Sequence, residues 1–320
     1  MRRGRITAAL LLTAAALLGG CADSTPAPDD RSVYSEPPLP AKAIPIGTDT
    51  PVPARGGEQC GDPTASLRPS TSRGPTIDAI RARGRLIVGL DAGSNLFSFR
   101  DPLTGRIVGF DADIAREIAR DLLGNPDLIE YRSLASEERE RALQEHTVDL
   151  IAKTMTITCE RRQRVAFSTV YLRADQRVLA VKNSGINGLA DLAGKRVCVV
   201  RGTTSLDHIR RDQPAATILT VPTWADCLVV LQQRQVDAVS TDDSILAGLA
   251  AQDPYTEVVG ASISAEPYGI GIPKGDDDLV RFVNATLDRI RNDGTWVRIH
   301  RRWLASLGET PSPPAPTYQD

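Results

Sequence analysis

The chain has 320 residues, with 38 Lys and Arg against 40 Asp and Glu and a formal net charge of −2 at pH 7. That balance argues against nucleic acid as a partner, because phosphate recognition favours a basic face. His146, His208 and His300 stand far apart and no pair of the five cysteines has CxxC spacing, so neither zinc nor any other metal or cofactor is expected.

Arg2, Arg3 and Arg5 precede an apolar stretch from Ile6 to Leu18, and no acidic residue appears before Asp23. The stretch is shorter than the roughly 20 apolar residues a bilayer span needs. A basic head and a short apolar core read as a secretory signal over residues 1–20. It closes on Leu18-Gly19-Gly20-Cys21, which resembles the lipobox of bacterial lipoprotein precursors. That resemblance implies a diacylated Cys21 (palmitate or a similar acyl chain) and a lipid-anchored protein on the extracytoplasmic side of the cell membrane. Two acyl chains give the double signal that stable anchoring requires. Without the three signal arginines, 35 basic residues face 40 acidic ones and the mature net charge is −5.

Residues 21–57 are rich in Pro, Ser, Asp and Ala and read as a disordered tether, because such a stretch cannot bury enough apolar surface to order itself. Residues 58–75 form an N-terminal extension, and 309–320 read as a second disordered tail. Setting Cys21 aside leaves Cys60, Cys159, Cys198 and Cys227 in an oxidising compartment, which suggests two disulfides with three possible pairings.

From residue 76 to 304 strand and helix patterns alternate. Leu86 to Leu90 is a short buried strand, and Gly109-Phe110-Asp111 opens a helix with Asp111 as its expected N-cap and Ile114, Ile118 and Leu122 at helical spacing. Leu128 to Tyr131 reads as strand, Ser136 to His146 as a charged helix and Asp149 to Ala152 as strand. The pattern restarts with strands at Arg177 to Val181, Arg196 to Val200, Ile218 to Val221 and Val236 to Ser240, separated by helices from Thr204, Thr223 and Asp243. A strand at Tyr268 to Ile272 and two helices, the last carrying Trp296, Ile299 and Trp303, complete the chain. Two successive units of this kind predict an α/β protein in which each lobe is a mixed sheet flanked by helices.

Several strings resemble one family. They are Gly109-Phe110-Asp111-Ala112-Asp113-Ile114-Ala115, Thr156-Ile157-Thr158-Cys159-Glu160-Arg161 followed by Ala166-Phe167-Ser168 and Tyr171, Gly202-Thr203-Thr204, Val236 to Asp242, and Asn292-Asp293-Gly294-Thr295. In this order they resemble the polar-amino-acid group (family 3) of extracellular solute-binding proteins. The run Thr241 to Gly248, with the paired cysteines, looks most like the actinobacterial glutamate/glutamine-binding lipoproteins. The resemblance implies a type II periplasmic-binding-protein fold. Lobe 1 would be 76–175 plus 270–308 and lobe 2 would be 176–269, with hinges near Leu172 to Gln176 and Tyr268 to Ile270. It also favours Cys198–Cys227 within lobe 2, leaving Cys60–Cys159 to pin the end of the tether to lobe 1.

An amino acid presents a carboxylate, an ammonium and a side chain. By family position Arg161 takes the carboxylate in a two-pronged grip, with Thr204 adding a contact at a helix N-terminus. Asp242 matches the acid that holds the ammonium, and Thr154 and Thr156 match further backbone and hydroxyl contacts. Ser94 lies in the region where relatives often carry an aromatic lid, which Phe97 or Tyr171 would have to supply here. Lys153, with Arg201, would pair with a side-chain carboxylate and favours glutamate or aspartate over glutamine or asparagine. The expected function is delivery of that ligand, by a monomer, to the permease of an ABC importer. The alternatives are a sensor signalling through a membrane receptor and, on the same fold, a dehydratase-like enzyme; no catalytic set is visible, and no enzyme activity is expected.

Overall fold

The computed structural model describes residues 36–47 and 60–320; Cys21, the signal and most of the tether lie outside them. The strand Leu86–Leu90 is buried at every position, as a strand covered on both faces must be. It lies parallel to Ile129–Ser133 on one side and Leu150–Ile151 on the other. Gly271–Pro273 and Val165–Phe167 complete this five-stranded sheet in antiparallel sense. Against it packs the helix Phe110–Leu123, which starts where only glycine fits. Gly109 has φ +133°, and a Cβ there would sit 2.2 Å from the Phe97 carbonyl oxygen. The N-cap is therefore Gly109 and not Asp111, whose side chain turns inward instead.

The second sheet has six strands in the order Ile44–Ile46, Thr217–Val221, Arg196–Val200, Ala238–Asp242, Leu172–Val181 and Thr256–Tyr268. Its centre is parallel and its last two pairings are antiparallel, so both sheets are mixed. The chain crosses between the sheets twice, once around Leu172 and once around Tyr268, where the paired strands Leu172–Val181 and Thr256–Tyr268 end side by side. The charged helix expected over Ser136 to His146 is shorter and begins as a 3-10 turn, Ser136–Glu138, before the α-helix Arg139–Gln144.

Two segments read as disordered are packed. Within the tether, Ile44–Ile46 adds an edge strand antiparallel to Thr217–Val221. Three residues with a proline at their centre are too short a run to register as a strand. The tail binds lobe 1: Tyr318 bridges Ser66 and donates to Asp288 at 2.7 Å, and Asp320 pairs with Arg281. Its proline-rich composition hid these two anchors. Cys60 is bonded to Cys159 and Cys198 to Cys227. Among the described residues no helix is long and apolar enough to cross a membrane.

Candidate functional site

Lobe 1 presents its polar groups on the segment after the strand Leu150–Ile151. Thr154 sits at φ +39°, held by its N–H, which donates to Asp111 at 3.0 Å. The Asp111 carboxylate also accepts the Tyr171 hydroxyl at 2.7 Å, and burial pushes its pKa up to about 7. Two residues beyond, Thr156 is bridged to Tyr268. The helix Cys159–Arg164 then begins at the Thr158 N-cap, which accepts the Arg161 N–H. The Arg161 guanidinium is 6% exposed and donates to the Thr156 carbonyl at 2.7 Å. Burial lowers its pKa, and Glu140, 3.5 Å away, works in the opposite direction.

Lobe 2 answers with two strand ends. The strand Arg196–Val200 runs into the Gly202 turn and the helix Thr204–Asp212, whose N-cap is Thr203. Such a helix start presents unpaired N–H groups and a positive dipole end. The strand Ala238–Asp242 delivers Asp242, which is 4% exposed. One of its oxygens accepts the Tyr268 hydroxyl, and the other is buried with no hydrogen-bond partner among the described residues. Burial and the neighbouring Glu266 charge hold its pKa well above the usual carboxylate range.

The lobes meet around these groups. Thr154, Thr156 and Arg161 from lobe 1 and Thr204, Asp242 and Trp224 from lobe 2 line one narrow cavity of about 10 Å³. Arg161 and Arg139 both reach across it to the Gly202 carbonyl, at 3.2 and 3.0 Å. Asn95 reaches the Gly248 carbonyl at 2.9 Å, and Arg201 pairs with Glu137 at 3.3 Å. Charge and hydrogen-bonding capacity are thus arranged as a cationic fork, a helix N-terminus and an under-satisfied carboxylate around a small space.

Four sequence-chosen residues are not in that lining. Lys153 is 5% exposed and gives its ammonium to Asp91 at 2.8 Å, so its charge is already neutralised within lobe 1. Arg201 is occupied by Glu137 and by the Lys42 carbonyl of the N-terminal segment. Tyr171, like Phe97, is fully buried in the aromatic core, stacked on Phe110. Ser94 is buried on the short strand Gly93–Ser94, outside the cavity wall.

Three lining or bridging residues had no sequence signal strong enough to mark them. Trp224, at the start of the helix Trp224–Gln232, is the aromatic group in the cavity wall, supplied by the lobe opposite to the expected lid. Glu266 accepts from Thr156 at 2.7 Å and Thr204 at 2.8 Å, so one carboxylate oxygen ties the two lobes together. Arg139 looked like one more charge on an amphipathic helix. It is in fact 3% exposed, and its three partners are the carbonyls of Ser136, Lys153 and Gly202.

The sequence profile of bacterial extracellular solute-binding proteins, family 3, matches residues 86–306, which span both lobes. The chain belongs to that family. This family 3 protein is 36% identical over 234 residues to the ABC transporter glutamine-binding protein GlnH of Bacillus subtilis, covering 73% of the chain and 86% of the relative. It is 41% identical over 212 residues to the glutamine-binding protein of Geobacillus stearothermophilus, covering 66% and 81%. With the glutamate-binding protein GluB of Corynebacterium glutamicum it shares 31% over 252 residues, covering 75% and 82%. Among solved structures it resembles an ancestral arginine-binding protein bound to glutamine, with 34% identity, a TM-score of 0.65, and coverage of 69% and 98%. It also resembles the ancestral amino acid-binding protein AncCDT-1, a precursor of cyclohexadienyl dehydratase, with 33% identity, a TM-score of 0.66, and coverage of 72% and 99%. A family 3 protein works outside the cytoplasm, which agrees with two disulfides in one chain.

Proposed function

We propose that this protein is a monomeric lipoprotein, anchored through Cys21, that captures a polar α-amino acid and delivers it to the membrane permease of an ABC importer. Arg161 and the N-terminus of the helix Thr204–Asp212 receive the α-carboxylate, and Asp242 receives the α-ammonium. The observation that carries this reading is the buried, unpartnered oxygen of Asp242 in a cavity it shares with Arg161 from the other lobe. A buried acceptor left unsatisfied is costly, and an ammonium is the donor that also matches its charge. Thr154 and Thr156 flank the same space, and Trp224 offers a face to the ligand's carbon skeleton. Kinship with glutamine- and glutamate-binding relatives and the absence of a leaving-group acid pattern in the sequence support binding without turnover; the dehydratase lineage of AncCDT-1 makes turnover of bound amino acids the control to run. Glutamate, aspartate and their amides are the ligand class, and Lys153, bonded to Asp91, does not discriminate among them.

The test is calorimetric titration of the purified full chain and its Arg161→Ala variant with the common amino acids. Removing a buried charged partner should weaken every amino-acid ligand about a hundredfold or more. Retained affinity in the variant would place the carboxylate elsewhere.

A further inference from the structure

We propose that a groove at the edge of the lobe 1 sheet is a binding site for a phosphate group, separate from the amino-acid cleft. Four segments converge on it. The hairpin of Ser98–Arg100 and Ile107–Val108 supplies Arg100 and Arg106, and the helix Phe110–Leu123 supplies Arg116. The loop before the edge strand Ile129–Ser133 supplies Asp127, and that strand supplies Tyr131. Together they line about 500 Å³ and share no residue with the interlobe cavity.

Charge is unbalanced in this groove. One Asp127 oxygen accepts from both Arg106 and Arg116, at 2.6 and 2.5 Å. Arg100 donates to the Gly105 carbonyl at 2.6 Å and forms no ion pair among the described residues. Two neighbouring carboxylates are turned elsewhere. Asp101 accepts the Leu103 N–H and the Thr104 hydroxyl of its own turn, and Asp113 accepts the Trp303 indole N–H at 2.7 Å. Three arginines against one aspartate leave two positive charges in the lining, although the chain as a whole is acidic.

The groove also holds a donor without an acceptor. The Tyr131 hydroxyl is buried and has no hydrogen-bond partner among the described residues. Buried hydroxyls are normally paired, because the lost hydration is otherwise not replaced. Burial pushes the Tyr131 pKa up to about 12, so the phenol stays protonated and able to donate at neutral pH. The charges of Arg116, Asp113, Asp127 and Arg106 all act on it, which puts the hydroxyl among the same groups. A phosphate group matches this set. Guanidiniums grip its oxygens by paired hydrogen bonds, and a further oxygen remains for the phenol. A carboxylate would meet one positive charge and leave the second. Asp127 is 56% exposed, and so open an ion pair gives way to a stronger anion at little cost.

The experiment is calorimetric titration of the purified full chain with inorganic phosphate at constant ionic strength. A second arm compares cosedimentation with vesicles of phosphatidylcholine alone and with added phosphatidylglycerol. The wild type is expected to bind inorganic phosphate saturably, with a dissociation constant of about 1 mM or tighter. Tyr131→Phe is expected to weaken binding about fivefold without lowering the melting temperature, because the hydroxyl it removes has no partner. Arg116→Gln should weaken it about tenfold or more. Asp127→Asn should tighten it about threefold, since Arg106 and Arg116 lose the competing anion, a gain that a merely structural role does not give. Binding that depends on phosphatidylglycerol and follows the same order of variants, without a response to inorganic phosphate, would support the site and assign it to a lipid headgroup. Binding to neither probe overturns the proposal, and that result needs no variant to fold. Affinity unchanged in Tyr131→Phe and Arg116→Gln, or weakened in Asp127→Asn, overturns it as well.

Discussion

At the residue scale the account turns on groups that are buried with unmet demands. Asp242 is held well above the usual carboxylate range by burial and by Glu266, so the empty cleft penalises its ionised form. An ammonium placed against it favours the ionised form and lowers its pKa. Ligand binding should therefore pull the Asp242 titration downward, and affinity should rise with pH as that carboxyl ionises. Calorimetry across a range of pH, in buffers of different ionisation enthalpy, reads this directly; proton uptake, or affinity that falls as pH rises, would contradict the charge arrangement. Arg161, Thr156, Thr204 and Asp242, which line the cavity, could be picked out because each sits in a recognisable string. Lys153 misled, because its partner Asp91 lies 62 residues away in sequence and only the sheet brings the two together at 2.8 Å. Arg139 was hidden for the same reason in reverse: a charged residue in a charged helix has no sequence mark of burial.

Among elements, the turn that enters the helix Thr204–Asp212 is where the proposed carboxylate contact lies against the other lobe. Gly202 has φ +71°, and a Cβ there would lie 2.5 Å from the Glu137 Cα of the other lobe. That backbone atom cannot swing aside, so the clash exists only when the lobes meet. Gly202→Val should carry a conformational cost of about 1–2 kcal/mol from the left-handed backbone. It should also weaken ligand binding by about tenfold or more, because a ligand that needs the closed state must overcome the added penalty. Titration together with a thermal melt separates the two. Lowered stability with unchanged affinity would show that closure does not bring Gly202 against Glu137. The sequence marked this turn as a family string, but not the approach of Glu137, which depends on how the lobes dock. The strand Ile44–Ile46 escaped notice because its pairing partner supplies the sheet and its own run is three residues long.

For the molecule as a whole, the alternation of strand and helix made both mixed sheets readable, since a 2.0 or 3.6 periodicity survives without knowledge of packing. The ends of the folded region were harder. Proline-rich composition predicts disorder for 309–320, yet Tyr318 and Asp320 find Asp288, Arg281 and Arg68 on lobe 1. Composition averages over a segment, while two well-placed side chains suffice to dock it. The resulting molecule is two-lobed, with the Arg161 guanidinium on one lobe and the Asp242 carboxylate on the other lining one cavity.

That division of labour makes the zwitterion the central claim, and one measurement addresses it. Calorimetric titration of the full chain with glutamate beside N-acetylglutamate compares two ligands with both carboxylates intact, of which only the first carries an ammonium for Asp242. Glutamate is expected to bind, and N-acetylglutamate to bind at least about a hundredfold more weakly, because Asp242 would remain buried and unpaired. Equal affinity for the two would contradict the account, since the cleft would then recognise carboxylates without using Asp242.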